Sequence, residues 1–453
     1  MSGSHAVRDL SRTPHHSNVK PRKAPIWEQS DLVRRVSCVL DFAAQAVHAL
    51  ATSGWPETED VDSKSHLGIS CEKVVAETAM LLFCAASVQH LSGSLRERVS
   101  NLVALLSPLA RSESMLACLC ADPGLAHERA VAHAVVSRLG SRDPLVDRLL
   151  QECKALDSQF GPERLPLCRL ELEWLARVWG ACTPVYPERG LLGRSMLGRQ
   201  LDVLGATRFD VYSFTHAIIY ATDFGGRRTR LPRPKSTIAA DADAALGLSL
   251  DIDDFDVTAE LAMTWPMLAL PWSPTATFAF GLMATAHNEL GFLPGPTFEP
   301  KQYEASTEDE RSHYLFSTSY HTTYVMGMLC AAALREGRCP PKVVAAAGSA
   351  GSGSALVSLL EETAERPRWR AAFDLFSPGQ QDAVAPLILT ILLRRAKDRG
   401  DLRGLRAILE LALAHGLVEG PSVQQASALL RRSAMLSRIH SEKASGLLTS
   451  AFC

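Results

Sequence analysis

The stretch LVRRVSCVLDFAAQAV, residues 32–47, decides the fold class, because its apolar residues return mostly every three or four positions. That interval matches the turn of an α-helix, so the apolar side chains share one face. Similar stretches follow along the chain and are separated by Gly, Pro and Ser clusters such as Asp122-Pro123-Gly124. The pattern predicts an all-α protein with about 55% helix or more and almost no sheet.

The charge balance excludes some classes of partner. The 453 residues include 47 Lys and Arg against 49 Asp and Glu, and 47% of the chain is hydrophobic. Such a chain has a large core and no net field that would draw it to nucleic acid or to an anionic membrane. We therefore expect a small apolar molecule as substrate, and another protein of the same pathway as a further partner.

We recognise no targeting signal in the sequence. No uninterrupted apolar run reaches the roughly 18 residues that a transmembrane helix needs, and the N-terminal residues lack the apolar region of a signal peptide. The 11 cysteines are odd in number and lie singly in apolar helical surroundings, as reduced thiols do. These observations predict a cytoplasmic protein with no transmembrane segment.

Changes of composition divide the chain into five segments. Residues 1–25 are predicted to be a disordered tail, and residues 26–160 a helical N-terminal domain. Residues 165–338 hold most of the polar side chains that interrupt apolar runs, so we expect the functional site there. A Gly/Ser-rich linker over 339–354 leads to a helical C-terminal segment, 355–453.

Three parts of the segment 165–338 share a pattern, in which a polar start leads into a largely apolar helix. They begin at Thr215, Asp256 and His321. Helix pairs that repeat in this way close into an α/α ring, or toroid, because each pair buries its face against the next. We expect flanking helical segments around this ring, and the helix starts near His216, Asp254 and His321 on one rim.

An acidic motif opens the second of these helices. Asp251-Ile252-Asp253-Asp254 is similar to the D-x-D-D motif of the α/α-barrel superfamily of squalene-hopene and other class II terpene cyclases, and Thr258-Ala259 follows it as a Thr-Ala pair does there. The stretch HNELGFLPG, 287–295, resembles the turn that closes helix pairs in the same superfamily. The resemblance implies that Asp253 protonates an apolar, isoprenoid-like substrate.

The residues around this motif suit such chemistry. Carboxylates that crowd together in a partly buried site repel one another, so one of them keeps its proton at neutral pH. In this hypothesis Asp251 and Asp254 support the acid, and the aromatic rings of the same segment stabilise cationic intermediates. The candidate catalytic residues are Asp253, Asp254, Asp251, His216 and Tyr324, and the candidate aromatic substrate contacts are Trp265, Trp272 and Phe280. The simpler alternative is that acidic residues favour the first turn of a helix.

Two further strings resemble another family. They are His216-x-x-x-Tyr220-x-Thr222-Asp223-Phe224-Gly225 and His321-Thr322-Thr323-Tyr324-Val325-Met326-Gly327. They are similar to strings in an uncharacterised family of helical proteins encoded in actinobacterial biosynthetic gene clusters. This resemblance implies a role in bacterial specialised metabolism and names no reaction.

Histidines in the same strings offer a second hypothesis. His216 and Asp223 are two helical turns apart, and His313 and His321 have a similar interval, so each pair would lie close to one helix face. His216, Asp223 and His321 from facing helices are a candidate set of ligands for a transition metal ion. The alternative is that these histidines are hydrogen-bonded core residues or helix caps.

The stretch RRTRLPRPK, 227–235, concentrates five cations. A run of this kind is typical of a solvated loop. Placed over the mouth of a ring, Arg228 and Arg230 would bind an anionic group of the substrate.

These patterns predict an enzyme of bacterial specialised metabolism, an acid-initiated cyclase or isomerase that needs no cofactor. One alternative is a metal-dependent tailoring oxidoreductase that uses His216, Asp223 and His321. The other is a helical-repeat scaffold without catalysis, whose apolar faces bind a protein partner.

Overall fold

The apolar stretch 32–47 lies in the first helix, α1 (Gln29–Ser53), and Leu32, Val36 and Val39 are fully buried there. The computed structural model describes residues 26–53, 71–122, 129–155, 165–180, 190–347, 351–360 and 367–450. The predicted tail over residues 1–25 lies outside the described residues.

The prediction of an all-α protein is confirmed. Helix makes up 74% of the structure. Within the described ranges no strand is present, and the one isolated β-bridge joins Ile26 to Pro341.

The helices are numbered here in chain order. In the first part of the chain they are α1, α2 (Cys71–Ala86), α3 (Gly93–Leu109), α4 (Glu113–Ala121), α5 (Val131–Arg138), α6 (Pro144–Ala155), α7 (Pro166–Val178) and α8 (Leu191–Arg194). In the middle they are α9 (Arg208–Thr222), α10 (Lys235–Asp251), α11 (Phe255–Ala262), α12 (Thr264–Leu268), α13 (Pro274–Leu290), α14 (Pro300–Ala305) and α15 (Glu308–Ala333). The last six are α16 (Ser352–Val357), α17 (Arg368–Asp374), α18 (Pro378–Ala383), α19 (Ala385–Asp398), α20 (Leu402–Ala414) and α21 (Pro421–Ser450). Two short 3₁₀ helices cover Gln89–Leu91 and Met196–Gly198.

Six of these helices contact one another in a closed cycle. The α2 helix packs against α15, α15 against α11, and α11 against α9. The α9 helix packs in turn against α7, α7 against α5, and α5 against α2. Residues that lie far apart in the sequence are therefore brought close together by these contacts.

The remaining helices cover this cycle. The α1 helix packs against α2, α3 and α15, and α10 lies between α11 and the C-terminal helix α19. The main hydrophobic core extends from Leu32 to Ala426, and a second, smaller cluster joins Leu119 on α4 to Val146 and Leu150 on α6. The N-terminal segment and the middle of the chain therefore share a core, and a residue of either segment is able to contribute to one site.

Local sequence fixes where the important helices start. Thr207 and Asp210 form a capping box at the start of α9, and Thr307 and Glu310 form another at the start of α15. At the start of α11, the Asp254 carboxylate accepts from the backbone N–H of Val257 at 3.2 Å. These bonds satisfy amide groups that the first turn of a helix leaves without a partner.

No helix within the described residues is, by itself, long and apolar enough to span a lipid bilayer. Together, α3 and α4 reach the required length and composition, with a bend of 60° between them.

Gly327 marks the closest approach of α15 to its neighbours. A Cβ atom at this position would lie 2.7 Å from Val39 Cγ1 on α1 and 2.9 Å from Leu81 Cδ1 on α2. We expect Gly327→Ala to lower the free energy of unfolding by about 1–3 kcal/mol, because a packed core resists an added methyl group. Chemical denaturation followed by circular dichroism measures this change.

Gly281 on α13 is the matched control, since a Cβ there meets nothing within 4 Å. Gly281→Ala should leave stability unchanged or raise it by up to about 1 kcal/mol, as replacing a helical glycine does. Equal stability of the two variants would contradict the close packing of α15.

Candidate metal centre

The site begins with two acidic residues on α11. Asp256 and Glu260 are one helical turn apart, so their side chains share a face. All eight residues of α11 are buried, and Asp256 and Glu260 are only 6% and 3% exposed. Removing two carboxylates from water is costly unless opposite charges or a metal ion compensate them.

His321 on α15 lies between two of the acids that face it. Its Nε2 atom is 3.2 Å from Asp256 Oδ1, and its Nδ1 atom is 2.9 Å from Oε2 of Glu77 on α2. At these distances the imidazole ring forms ion pairs with both carboxylates and joins α15 to α2 and to α11.

Two buried carboxylates, of Asp256 and Glu260, and the partly buried ring of His321 lie close enough together that they could hold one metal ion. One ligand atom from each of Asp256, Glu260 and His321 lies within 4.8 Å of the other two. Two carboxylates and an imidazole are donors that iron, manganese and zinc accept. The three side chains come from two adjacent helices, so their spacing follows from the packing of α11 on α15.

A second layer of side chains orients these three. Arg208 donates from Nη2 to Asp256 Oδ2 at 2.7 Å, and Thr215 donates from Oγ1 to Glu260 Oε2 at 2.5 Å. Glu77 faces the Nδ1 atom of His321, on the other side of the ring from Asp256. A carboxylate behind a histidine in this manner is typical of metal sites, where it fixes the ring and raises its basicity.

His216 on α9 completes the cluster. Its Nδ1 atom is 3.5 Å from Glu260 Oε2 and 3.1 Å from the backbone oxygen of Tyr212, and its ring stacks on that of Tyr212 with 3.6 Å between centroids. One turn further along α9, Tyr220 donates its hydroxyl to Glu171 on α7 at 2.8 Å. Charged and aromatic groups from α2, α7, α9, α11 and α15 thus meet inside the cycle of helices.

The pKa values follow from this crowding. Burial alone would lower the pKa of His321, but the charges of Asp256 and Glu77 outweigh burial and raise it to about 10. Burial would raise the pKa of Glu260 and Glu77, but the neighbouring histidines lower both. Burial raises the pKa of Asp256, against the charge of His321. Without a metal ion, His321 therefore holds a proton that balances part of the negative charge.

A cavity of about 250 Å³ lies next to the centre. Much of its wall is apolar and includes Val211, Val257 and Ile391. Arg208 and Asp254 form the part of the wall that faces the metal candidate, because Arg208 binds Asp254 at 2.9 Å and Asp256 at 2.7 Å. The guanidinium of Arg208 therefore separates the cavity from the buried carboxylates.

The structure brings together two of the three metal ligands predicted from the sequence, His216 and His321, through Glu260 and Asp256. It does not bring Asp223 to them. Asp223 ends α9 in a left-handed conformation (φ 49°) and pairs with Arg177 at 3.1 Å. The left-handed turn directs its carboxylate away from the face of α9 that carries His216.

The three aspartates of the acidic motif, residues 251–254, make different contacts. Asp251 forms a bidentate ion pair with Arg395, at 2.7 and 2.9 Å, and Asp254 caps α11 and pairs with Arg208. Asp253 accepts from the backbone N–H of Arg368 at 3.1 Å, and it does not line the cavity that Asp251 and Asp254 line. Burial raises the pKa of Asp253, while the N–H of Arg368 lowers it. Its role as an acid stays a prediction.

The predicted substrate contacts are spread through the molecule. Trp265 stacks on Trp272 at 6.2 Å, and the ring of Trp272 meets Phe280 edge to face at 5.7 Å, so these three pack on one another. The Tyr324 hydroxyl accepts from Thr78 at 3.2 Å. Arg228 and Arg230 are exposed. None of these residues lines the cavity beside the metal candidate, and their roles in binding and catalysis stay predictions.

Sequence reasoning missed Glu77, Glu171, Asp256 and Glu260 as parts of the site. Glu77 and Glu260 each interrupt an apolar helical stretch, such as VVAETAMLLF around Glu77. The signal that identifies them is a lone charge on the apolar face of a buried helix, since charged residues are almost never fully buried without a partner.

Comparison with protein families finds one match. The family described as "Domain of unknown function (DUF6895)" matches residues 33–331, which include every residue of the metal candidate. Comparison with curated proteins and with solved structures finds no similar protein.

The charge of His321 gives the metal-free protein a characteristic dependence on pH. In the folded state its pKa is about 10, and in an unfolded chain it is about 6.5. The folded state therefore binds more protons between these values, so the stabilisation is complete below pH about 6.5 and is lost as pH rises towards 10. Denaturation at several pH values in the presence of a chelator should show this loss.

His321→Gln should remove this part of the alkaline loss, because glutamine does not titrate. His313→Gln, on an exposed position of the same helix, should keep the wild-type dependence. An unchanged pH dependence in His321→Gln would contradict the protonated state of His321.

Proposed function

The chain belongs to the DUF6895 family, and we propose that this member is a metal-dependent enzyme whose divalent transition-metal ion is bound by Asp256, Glu260 and His321. The observation that carries the proposal is the approach of three ligand atoms to within 4.8 Å of one another in the buried cluster. Three protein ligands leave coordination positions for water and substrate, as catalytic metal sites do.

The donors favour iron, manganese or zinc. Calcium takes six to eight oxygen ligands, and the single imidazole here suits a borderline transition metal better. No thiol belongs to the group, although 11 cysteines occur in the chain. A copper(I) site, which favours soft sulfur ligands, is therefore a poor match.

Charge compensation supports the same proposal. In the metal-free state the protonated His321 balances the carboxylates around it. A divalent ion would take over this role, and the Nε2 atom of His321 would exchange its proton for the metal. Glu77 would then hold the proton on Nδ1 and orient the ring, as an outer carboxylate does in metal sites.

The adjacent cavity would hold the substrate. Its volume of about 250 Å³ and its apolar wall suit a small apolar molecule. The three arginines on the wall are already paired with acids: Arg208 with Asp254, Arg394 with Asp398, and Arg395 with Asp251. Movement of Arg208 away from Asp256 would connect this cavity to the metal ion.

Within the class of metal-dependent enzymes, we favour an oxidoreductase. Tyr212 stacks on His216, and Tyr220 donates its hydroxyl to the carboxylate of Glu171. A phenol that is bound to a carboxylate gives up an electron more easily, because the carboxylate accepts the proton at the same time. The tyrosines therefore suit electron transfer better than metal-assisted hydrolysis.

We further propose that the cycle of six helices is an α/α ring with the metal centre inside it. The closed series of contacts from α2 through α15, α11, α9, α7 and α5 supports this arrangement. A role in bacterial specialised metabolism follows only from the sequence resemblance. The acid-initiated cyclase also stays a prediction, and the placement of Asp253 outside the cavity does not favour it.

Metal analysis tests the proposal directly. We expect protein grown with added iron, manganese and zinc, and purified without chelators or metal-affinity resin, to carry about one ion per chain. Mass spectrometry of the acid-digested protein measures the metal content. Folded protein that binds none of the three ions, even after they are added back, would contradict a metal centre. Zinc as the only ion bound would contradict electron transfer at the metal, because Zn²⁺ has no redox chemistry, and would favour metal-assisted hydrolysis.

Variants locate the ligands. Glu260→Gln keeps the side-chain shape but removes a charged ligand, so we expect metal affinity to fall more than about tenfold. Glu77→Gln removes only the outer carboxylate, and a loss of about 10- to 100-fold is expected. Asp253→Asn is the matched control, because this acid lies outside the cluster and should keep the wild-type affinity. Equal affinities in Glu260→Gln and Asp253→Asn would place the metal elsewhere.

A further inference from the structure

A second cavity, of about 360 Å³, lies at the C-terminal ends of α2, α9 and α15. No residue lines both this cavity and the one beside the metal candidate. One part of its wall is apolar and is formed by Phe83, Val135 and Leu139. The other part is polar and carries Arg138 and Arg335.

The two arginines differ from the other arginines described above. Arg335 donates to the Ser87 hydroxyl at 3.3 Å, and the guanidinium of Arg138 lies over the ring of Phe83, 5.7 Å from its centroid. Within the part of the chain that the structure describes, neither forms an ion pair with a carboxylate. By contrast, Arg208 and Arg395 each bind acids at 2.9 Å or less.

The acid on the wall of this cavity acts on Arg335 from a distance, but its own ion pairs are with other arginines. Asp223 is the carboxylate of the wall as described, and it is paired with Arg177 at 3.1 Å and with Arg227 at 3.8 Å. Burial, followed by the charges of Arg335 and Arg228, lowers the pKa of the nearby Arg338. Cations thus outnumber acids around the cavity.

The glycine turn after α9 leaves room for one of the arginines. A Cβ atom on Gly226 would lie 3.2 Å from Arg335 Nη1 and 3.0 Å from the backbone oxygen of Asp223. A larger residue would therefore push the guanidinium of Arg335 aside. This glycine turn after α9 is therefore part of the wall that holds Arg335.

We propose that this cavity binds a small organic anion, with its carboxylate or phosphate group bound by Arg138 and Arg335 and its apolar body against Phe83, Val135 and Leu139. Guanidinium groups bind both kinds of oxyanion through paired N–H donors. The volume is within the range of cavities that bind small molecules. The site is separate from the metal candidate and does not depend on it.

Titration calorimetry with three probes tests the proposal. Octanoate and octyl phosphate carry the two kinds of anionic group on the same apolar chain, and octanol is the uncharged control. We expect at least one of the anions to bind, and octanol to bind at least about tenfold more weakly, because the arginines contribute only to the charged probes. Which anion binds better distinguishes a carboxylate ligand from a phosphate ligand.

Variants assign the binding to the two arginines. Arg335→Gln and Arg138→Gln should each weaken binding of the preferred anion at least about tenfold, a loss that one charge-assisted contact explains. Gly226→Ala should weaken it too, since it displaces Arg335. Arg406→Gln, at an exposed position on α20, is the matched control and should bind as the wild type does. Thermal unfolding shows whether each variant is folded.

Three results would overturn the proposal: binding of octanol as tightly as of the anions, unchanged anion binding in both arginine variants, and no binding of either anion at millimolar concentrations. Running the titration with and without a chelator keeps this test separate from the metal centre. Anion binding should be the same in both conditions, and a dependence on metal would place the anion at the metal ion instead.

Discussion

The structure depends on the burial of Asp256 and Glu260 on a helix that has no face towards solvent. Both carboxylates leave water when α11 packs, and the cost is several kcal/mol for each unless opposite charge is supplied. His321 on α15, and Arg208 and His216 on α9, supply it at 2.7–3.5 Å. The packing of α9, α11 and α15 is therefore constrained by charge as well as by apolar contact.

The same constraint connects fold and function. Protons on the histidines compensate the carboxylates in the metal-free protein, and a divalent ion is able to do so in their place. A hydrophobic substitution of the whole cluster would remove the cost of burial altogether. The proposed metal ion would give these acids and histidines, with orienting partners such as Thr215 and Glu77, a role that stability alone does not require.

The two cavities differ in whether the arginines that line them form ion pairs with acids. Beside the metal candidate, Arg208 and Arg395 are each bound to acids of the 251–256 stretch, so that cavity presents an apolar wall with compensated charge. The second cavity lies at the C-terminal end of α9 and is lined by Arg138 and Arg335. Its acid, Asp223, is already paired with Arg177. The proposed apolar substrate and the proposed organic anion would therefore occupy two different sites.

By itself, the sequence determined the helical class, because the spacing of apolar residues such as Leu32, Val36 and Val39 is a property of neighbouring positions. It also indicated His216 and His321, whose polar side chains interrupt apolar helices. Only the tertiary structure decided that Glu77 and Glu260 join these histidines and that Asp223 does not. Glu77 lies far from the others in the chain, and the direction of Asp223 depends on a left-handed turn at the end of α9. Contacts between distant helices leave no periodic pattern in the sequence. These charged residues are therefore recognised as one cluster only once the packing of the helices is known.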